Sequence, residues 1–205
     1  PAVLEAWFSG SEAGNALADV VFGAVNPSGK LPFTFPVRLE DNGAHALGEY
    51  PGADKVKYNE SIFVGYRWHD KEQLKPLFAF GHGLSYTAFA VGNVKADRTT
   101  LAPNGSIRIS ADVTNTGDRA GAEVVQLYIG DEQSSLPRPV KELKGFQKVS
   151  LNPGQTQTVT FEITPGMLQY YDDAKGAWVA EPGAFTAYVG AASDDIRGTV
   201  EFELK

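Results

Sequence analysis

The chain has 205 residues, a formal charge of -7 and a hydrophobic share of 42%, enough apolar content for one large packed domain or one domain plus a piece of another. The acidic balance, with no Lys/Arg block, argues against a nucleic acid partner, and zero cysteines exclude disulfides, thiolate catalysis and Cys-ligated zinc. No apolar run reaches the about 18 residues of a membrane span and the N-terminus lacks the basic region and cleavage site of a signal peptide, so no membrane partner is expected and any export signal would lie upstream.

Taken in chain order, Val3, Leu4, Ala6, Trp7 and Phe8 form an almost continuous apolar run, the pattern of a strand covered on both faces in a parallel sheet. The chain thus starts inside a buried strand with no partner before it, and sequence upstream is expected. Ser9-Gly10-Ser11-Glu12 matches a capping box and predicts a helix start. Ala13, Leu17, Val20 and Val21 recur at helical spacing, and Gly23 stands where a left-handed residue would end the helix. Beyond Asn26-Pro27-Ser28-Gly29, residues 30–36 alternate like a strand, but Pro32 and Pro36 restrict it to an edge or an extended excursion. Residues 1–36 together read as the last strand-helix-strand piece of a larger α/β layer.

Between residues 37 and 80 the periodicity weakens, and only 62–68 resembles a short strand. A structureless connection of that length is rare unless it is functional or packed on a partner. Tyr50, Tyr58, Phe63, Tyr66 and Trp68 point to an ordered, packed linker. From Ser85 onward, strands are predicted over 89–95, 106–114, 123–129, 144–151, 156–163, 185–190 and 199–204, divided by turns such as Pro103-Asn104-Gly105 and Asn152-Pro153-Gly154. Ile107, Ile109, Ala111 and Val113 alternate with polar residues, so one face is buried and the other wet. Residues 85–205 are expected to fold without the rest.

Four stretches carry a family resemblance. They are Ala2-Val3-Leu4-Glu5-Ala6-Trp7 with the helix after it, Asn26-Pro27-Ser28-Gly29-Lys30-Leu31-Pro32, Tyr58-Asn59-Glu60-Ser61-Ile62-Phe63-Val64-Gly65-Tyr66-Arg67 with Phe80-Gly81-His82-Gly83-Leu84-Ser85-Tyr86-Thr87, and Val124-Val125-Gln126-Leu127-Tyr128-Ile129 between Asn115-Thr116-Gly117 and Arg138-Pro139-Val140-Lys141-Glu142-Leu143-Lys144-Gly145-Phe146. In this order they resemble the C-terminal end of glycoside hydrolase family 3. The resemblance implies a mainly β fold: a fibronectin type III-like, immunoglobulin-like β-sandwich over 85–205, an ordered linker over 41–84, and over 1–40 the strand-helix-strand remnant of an α/β sandwich domain. It further implies retaining, exo-acting hydrolysis of β-glucosides by two carboxyl groups about 5 Å apart, both upstream of Pro1. The expected partner is therefore the upstream catalytic polypeptide, with β-glucoside or oligosaccharide substrate reached through that part. No cofactor or metal is expected, and a homo-oligomer is left open. The compartment is left open, with periplasmic or secreted placement favoured. A β-xylosidase portion and a non-catalytic carbohydrate-binding or structural module are the rival readings.

No residue of this chain is assigned to catalysis. Glu5 and Glu12 form the tempting carboxylate pair, but Glu12 has a capping role to fill. Ser9-Gly10-Ser11 lacks the Gly-x-Ser-x-Gly form of a nucleophile elbow. His45, His69 and His82 are too widely spaced to read as a metal set, and His82 is expected to hydrogen-bond a turn at the domain junction. Asp172-Asp173 and Asp194-Asp195 suit turns, where their side chains bind local amides. Trp7, Tyr58, Tyr66 and Trp68 raise the question of sugar stacking, with interface packing preferred. Arg67 is expected to anchor a carboxylate between domains, and Arg138 to stabilise a long loop.

Overall fold

The computed structural model describes residues 2–205, and Pro1 lies outside the described residues. Ten strands dominate: β1 (Phe89–Ala96), β2 (Thr100–Leu101), β3 (Ile107–Asn115), β4 (Gly121–Asp131), β5 (Glu142–Leu151), β6 (Thr156–Ile163), β7 (Tyr170–Asp172), β8 (Ala177–Val179), β9 (Gly183–Ala192) and β10 (Asp195–Leu204). One sheet runs β1-β3-β6, the other β2-β10-β9-β4-β5, and β7-β8 stands apart as a hairpin. The seven expected strands are all present with their ends shifted by a few residues at most. The very short β2, β7 and β8 lie below any window in which periodicity can be read.

Alternation places the core between the two sheets. Ile107, Ile109, Ala111 and Val113 of β3 meet Val159, Phe161 and Ile163 of β6 in register, and these face Val125, Leu127, Phe185, Val189 and Phe202 of the larger sheet. Strand β4 departs from alternation, because Gln126 and Tyr128 on its other face are buried as well. A strand central in its sheet and roofed on its outer face must be apolar or hydrogen-bonded throughout. Gln126 meets that demand by donating to the carbonyls of Gly81 (3.1 Å) and Ala191 (2.6 Å) while accepting from Tyr128 Oη at 2.5 Å. Burial pushes the Tyr128 phenol far above its ordinary pKa. Gly81 has φ +80°, and a Cβ there would collide with the Gln126 amide.

The segment before the sandwich departs from expectation in three places. Residues 3–8 form no strand. A parallel strand exists only through its neighbours, and none of the described residues pairs with this one; instead Glu5 Oε1 accepts from the Trp7 amide at 3.1 Å and Trp7 adopts φ +51°. The capping box is also absent. Helix α1 (Ala13–Val21) begins at an N-cap Glu12 with no side-chain cap, Ser9 Oγ donates to the Ala6 carbonyl (2.8 Å), and Glu12 Oε2 accepts from Asn15 (2.6 Å). Gly10 would have occupied the first turn, where its backbone entropy is costly, and the helix starts after it. At the other end Gly23, at φ +79°, closes the helix through its amide to the Val20 carbonyl, as expected.

Residues 30–36 contribute one isolated antiparallel bridge, Phe35 to Phe78, which is all that Pro32 and Pro36 permit. The strand-like run at 62–68 is instead a turn followed by a helix. Gly65, at φ +57°, ends the extended stretch, and α3 (Tyr66–Lys71) follows, with Trp68 and His69 buried. The linker also holds the short α2 (Gly43–Ala46), capped by Asn42 Oδ1, which accepts from the Ala44 amide. Asn26 ties the first segment to the sandwich by accepting from the Tyr86 amide (2.8 Å) and donating to the Ala120 carbonyl (3.0 Å). Lys30 adds an ion pair with Glu123 at 2.6 Å.

Candidate functional site

Of the side chains singled out from sequence, Tyr66, Arg67 and Arg138 converge on the junction between α3 and the larger sheet. Positioning begins with Gly65, whose left-handed turn starts α3 so that Tyr66, Arg67 and Asp70 can meet the sandwich. The Tyr66 ring packs 5.0 Å from Phe80 and 5.7 Å from Tyr128, and its hydroxyl accepts from the Leu143 amide at 2.9 Å. Arg67 reaches Glu142 at 3.2 Å and Asp70 pairs with the buried Lys141 at 2.6 Å. Arg138 completes the set by donating to Asp131 (3.0 Å), Glu142 (2.7 Å) and the Leu168 carbonyl (2.9 Å). Burial alone would raise the Glu142 carboxyl, but the Arg138 hydrogen bond and the charges of Lys144, Arg138 and Arg67 hold it below the usual carboxylate range. Burial lowers the Lys144 ammonium.

Beside this network lies a cleft of about 480 Å³ whose lining includes Thr34, His69, Asp70, Lys75 and Asp194. His69 Nδ1 lies 3.0 Å from the Gly65 carbonyl, which fixes the ring. His45 and His82 engage separate rings, Tyr50 at 4.7 Å and Phe78 at 5.6 Å. The His82 imidazole stacks on Phe78, while its backbone makes the turn bonds at the junction: its amide donates to the Ala79 carbonyl (3.1 Å) and its carbonyl accepts from the Leu31 amide (2.9 Å). Among the described residues no group of three or more His, Cys, Asp or Glu side chains is arranged to hold a metal ion.

The remaining candidates occupy local roles. Asp172 Oδ1 accepts from the Ala174 and Lys175 amides, and the Lys175 hydrogen bond holds its carboxyl below the ordinary range. Asp195 pairs with Arg197. Of the four weighed aromatics, Tyr66 is packed at the junction and Trp68 is buried against Gly43 within the linker, whereas Trp7 and Tyr58 are exposed, Trp7 lying edge-on to Phe33 at 5.3 Å. Sequence reasoning missed Gln126, Lys141 and Asp70, whose importance rests on contacts between distant parts of the chain. Only the clustering of polar residues in an otherwise apolar β4 hinted at a covered outer face.

Tyr66→Phe isolates the contribution of one junction hydrogen bond. Removing the acceptor leaves the Leu143 amide unpaired at a partly buried position, an expected loss of about 1–2 kcal/mol in chain stability, read as a shifted denaturant midpoint with an unchanged slope.

Comparison with known proteins agrees with these features over nearly the whole chain. Residues 1–86 match the glycosyl hydrolase family 3 C-terminal domain, and residues 123–193 match the fibronectin type III-like domain. Among curated relatives, the β-glucosidase BoGH3A of Bacteroides ovatus is 53% identical over 99% of this chain and 28% of its own length. The thermostable β-glucosidase B of Acetivibrio thermocellus is 49% identical over 95% of this chain and 26% of its own. A crystal structure of a Bifidobacterium adolescentis GH3 β-glucosidase superposes with a TM-score of 0.90 at 38% identity, covering 98% of this chain and 29% of that one. The chain thus spans about a quarter of the length of the relatives it matches. With two successive domain matches, and a fold shared with a solved member from the first helix to the last strand, the chain belongs to glycoside hydrolase family 3 and corresponds to the C-terminal portion of its members.

Proposed function

We propose that this chain works as the C-terminal portion of a retaining, exo-acting β-glucosidase whose nucleophile and acid/base carboxyl groups reside on polypeptide outside residues 1–205. The observation that carries the reading is the bare apolar surface of the first segment. Helix α1 has no buried residue, and Val3, Leu4, Trp7, Phe8, Val21 and Phe22 are all exposed. Monomeric soluble proteins rarely leave so much contiguous apolar surface open, and a catalytic α/β layer would cover it. The identity to β-glucosidases supplies the chemistry. In the same reading the units are 1–40, completing that layer, 41–84 as linker, and 85–205 as the sandwich. The chain's part in the reaction is positioning: misplacement of an acid/base by about 1 Å can cost about a hundredfold in rate.

The test is complementation. Mixing or co-expressing the chain with a polypeptide carrying the two carboxylates should restore hydrolysis of an aryl β-glucoside with retention of configuration, while the chain alone stays inactive. Phe22→Asp should leave the isolated chain's stability within about 0.5 kcal/mol, because the ring is exposed, yet block complementation. Turnover by the chain alone, or full activity of the other part without it, would overturn the proposal.

A further inference from the structure

The β7-β8 hairpin belongs to neither main sheet, and its side chains divide sharply. Asp172 is buried and the Tyr170 hydroxyl is enclosed. Tyr171 and Trp178, direct partners across the hairpin, keep 47% and 65% of their surface exposed. Their ring centroids lie 5.6 Å apart, edge to face at 71°. Nothing in the packing explains why two large aromatics should share the wet face.

The scaffold beneath them is held by other contacts. Asp172 Oδ1 binds the amides of Ala174 (3.0 Å) and Lys175 (3.2 Å), and its second oxygen pairs with Lys175 Nζ at 2.9 Å. The Arg138 guanidinium lies 5.4 Å over the Tyr170 ring. Glu181, just past β8, accepts from the Ser135 amide (2.9 Å) and hydroxyl (2.6 Å). Tyr171 and Trp178 thus make only their mutual cross-strand contact and are presented on a support held by other groups. Rigid aromatic side chains with a polar handle bind at low conformational cost.

Size and charge select the occupant. An aromatic side chain buries about 150–250 Å², so the exposed parts of these two offer roughly 200–300 Å². A stable protein interface needs about 800 Å² per partner; one or two pyranose rings need far less. The chain's charge of -7 opposes an anionic polysaccharide. A β-glucosyl unit, neutral and with its ring hydroxyls equatorial, presents apolar C–H faces to an aromatic ring. Resting on the β-glucosidase reading above, we infer that Tyr171 and Trp178 form a surface site for neutral β-linked glucan.

Native affinity electrophoresis of the full chain tests this with soluble mixed-linkage β-glucan in the gel, against a sugar-free gel and one containing soluble starch. The expected result is at least a twofold retardation in the β-glucan gel alone. Tyr171→Ala with Trp178→Ala should abolish it, and Trp178→Phe, which keeps a ring and the fold, should retain part. No retardation of the unmodified chain, equal retardation of the double variant at an unchanged melting midpoint, or equal retardation by starch would overturn the site. So would a changed oligomeric state of the double variant in size-exclusion chromatography, which would make the rings a protein contact. Aryl β-glucoside hydrolysis in the complementation assay reads the parent proposal separately. Hydrolysis without retardation overturns the glucan site alone, and retardation without hydrolysis overturns the enzymatic reading alone.

Discussion

Leu127→Asp should abolish the cooperative melt of the sandwich. Leu127 is fully buried in β4, between β9 and β5, with its side chain in the shared core. A carboxylate there loses the leucine's transfer energy, about 2 kcal/mol, and must either remain charged without a partner or take up a proton at a further cost of several kcal/mol. Together these approach the whole stability of an ordinary domain. Val125→Asp should be equally severe, because Val125 is fully buried on the same face two residues away. Thermal unfolding followed by far-UV circular dichroism would check both. A sigmoidal transition at the parental midpoint in either variant would contradict the burial of this strand.

Arg138→Ala should cost about 3–5 kcal/mol near neutral pH, the range for removing one member of a buried ion pair. The guanidinium side chain is 8% exposed and stands between Asp131, 3% exposed, and Glu142, 16% exposed, so its removal leaves the buried Asp131 without a cation and Glu142 with Arg67 and Lys144 alone. The pH dependence has a definite sign. With Arg138 in place, Glu142 has a depressed pKa, so its contribution is complete above the unfolded value of about 4.3 and disappears as pH falls through the folded value. Without Arg138 the carboxyl loses the hydrogen bond that lowers it and keeps only the charges of Lys144 and Arg67 against burial, so its depression shrinks. The gap between parent and variant should therefore shrink below about pH 4. Denaturant midpoints at pH 7 and pH 3.5 would measure it, and a gap independent of pH would show that Arg138 acts through packing alone.

The sandwich was legible in the sequence because its physics is local. The alternation of Ile107, Ile109, Ala111 and Val113 and the turn at Asn152-Pro153-Gly154 state strand, face and reversal within a dozen residues. The first segment was legible in its helix, whose periodicity and closing Gly23 stand as read, and illegible in the strand before it. An apolar run such as Val3–Phe8 has the composition of a buried strand, but the hydrogen bonds that make a strand belong to its neighbours, and no short window contains them. At 62–68 the error was of another kind. Gly65 sits inside an apparent strand, and its left-handed φ converts the run into a turn and helix; an isolated glycine in a strand pattern is a breaker signal that the apolar side chains around it outweighed. The junction was read by half. Arg67 stood out as a cation needing a carboxylate and Arg138 as the anchor of a long loop, yet Asp70, Lys141 and Gln126 look like ordinary surface residues until the chain brings distant segments together.

The doubly covered strand β4 bears on how such a chain could have been assembled from parts. Its outer face is sealed by Tyr66, Phe80 and Gly81, all of which precede the point where strand periodicity begins. A cut at residue 85, which composition suggests, would strip the roof from a finished sheet, bare the Tyr128 ring and take from the Gln126 amide its bond to the Gly81 carbonyl. The transferable unit is consequently longer than the sandwich: a gene fusion that carried the strands into another enzyme would need to bring α3 and the Phe80-Gly81 turn with them. Linker and sandwich then travel as one inheritance, and the linker's sequence is constrained by a strand more than forty residues downstream of it as much as by whatever lies on its other side.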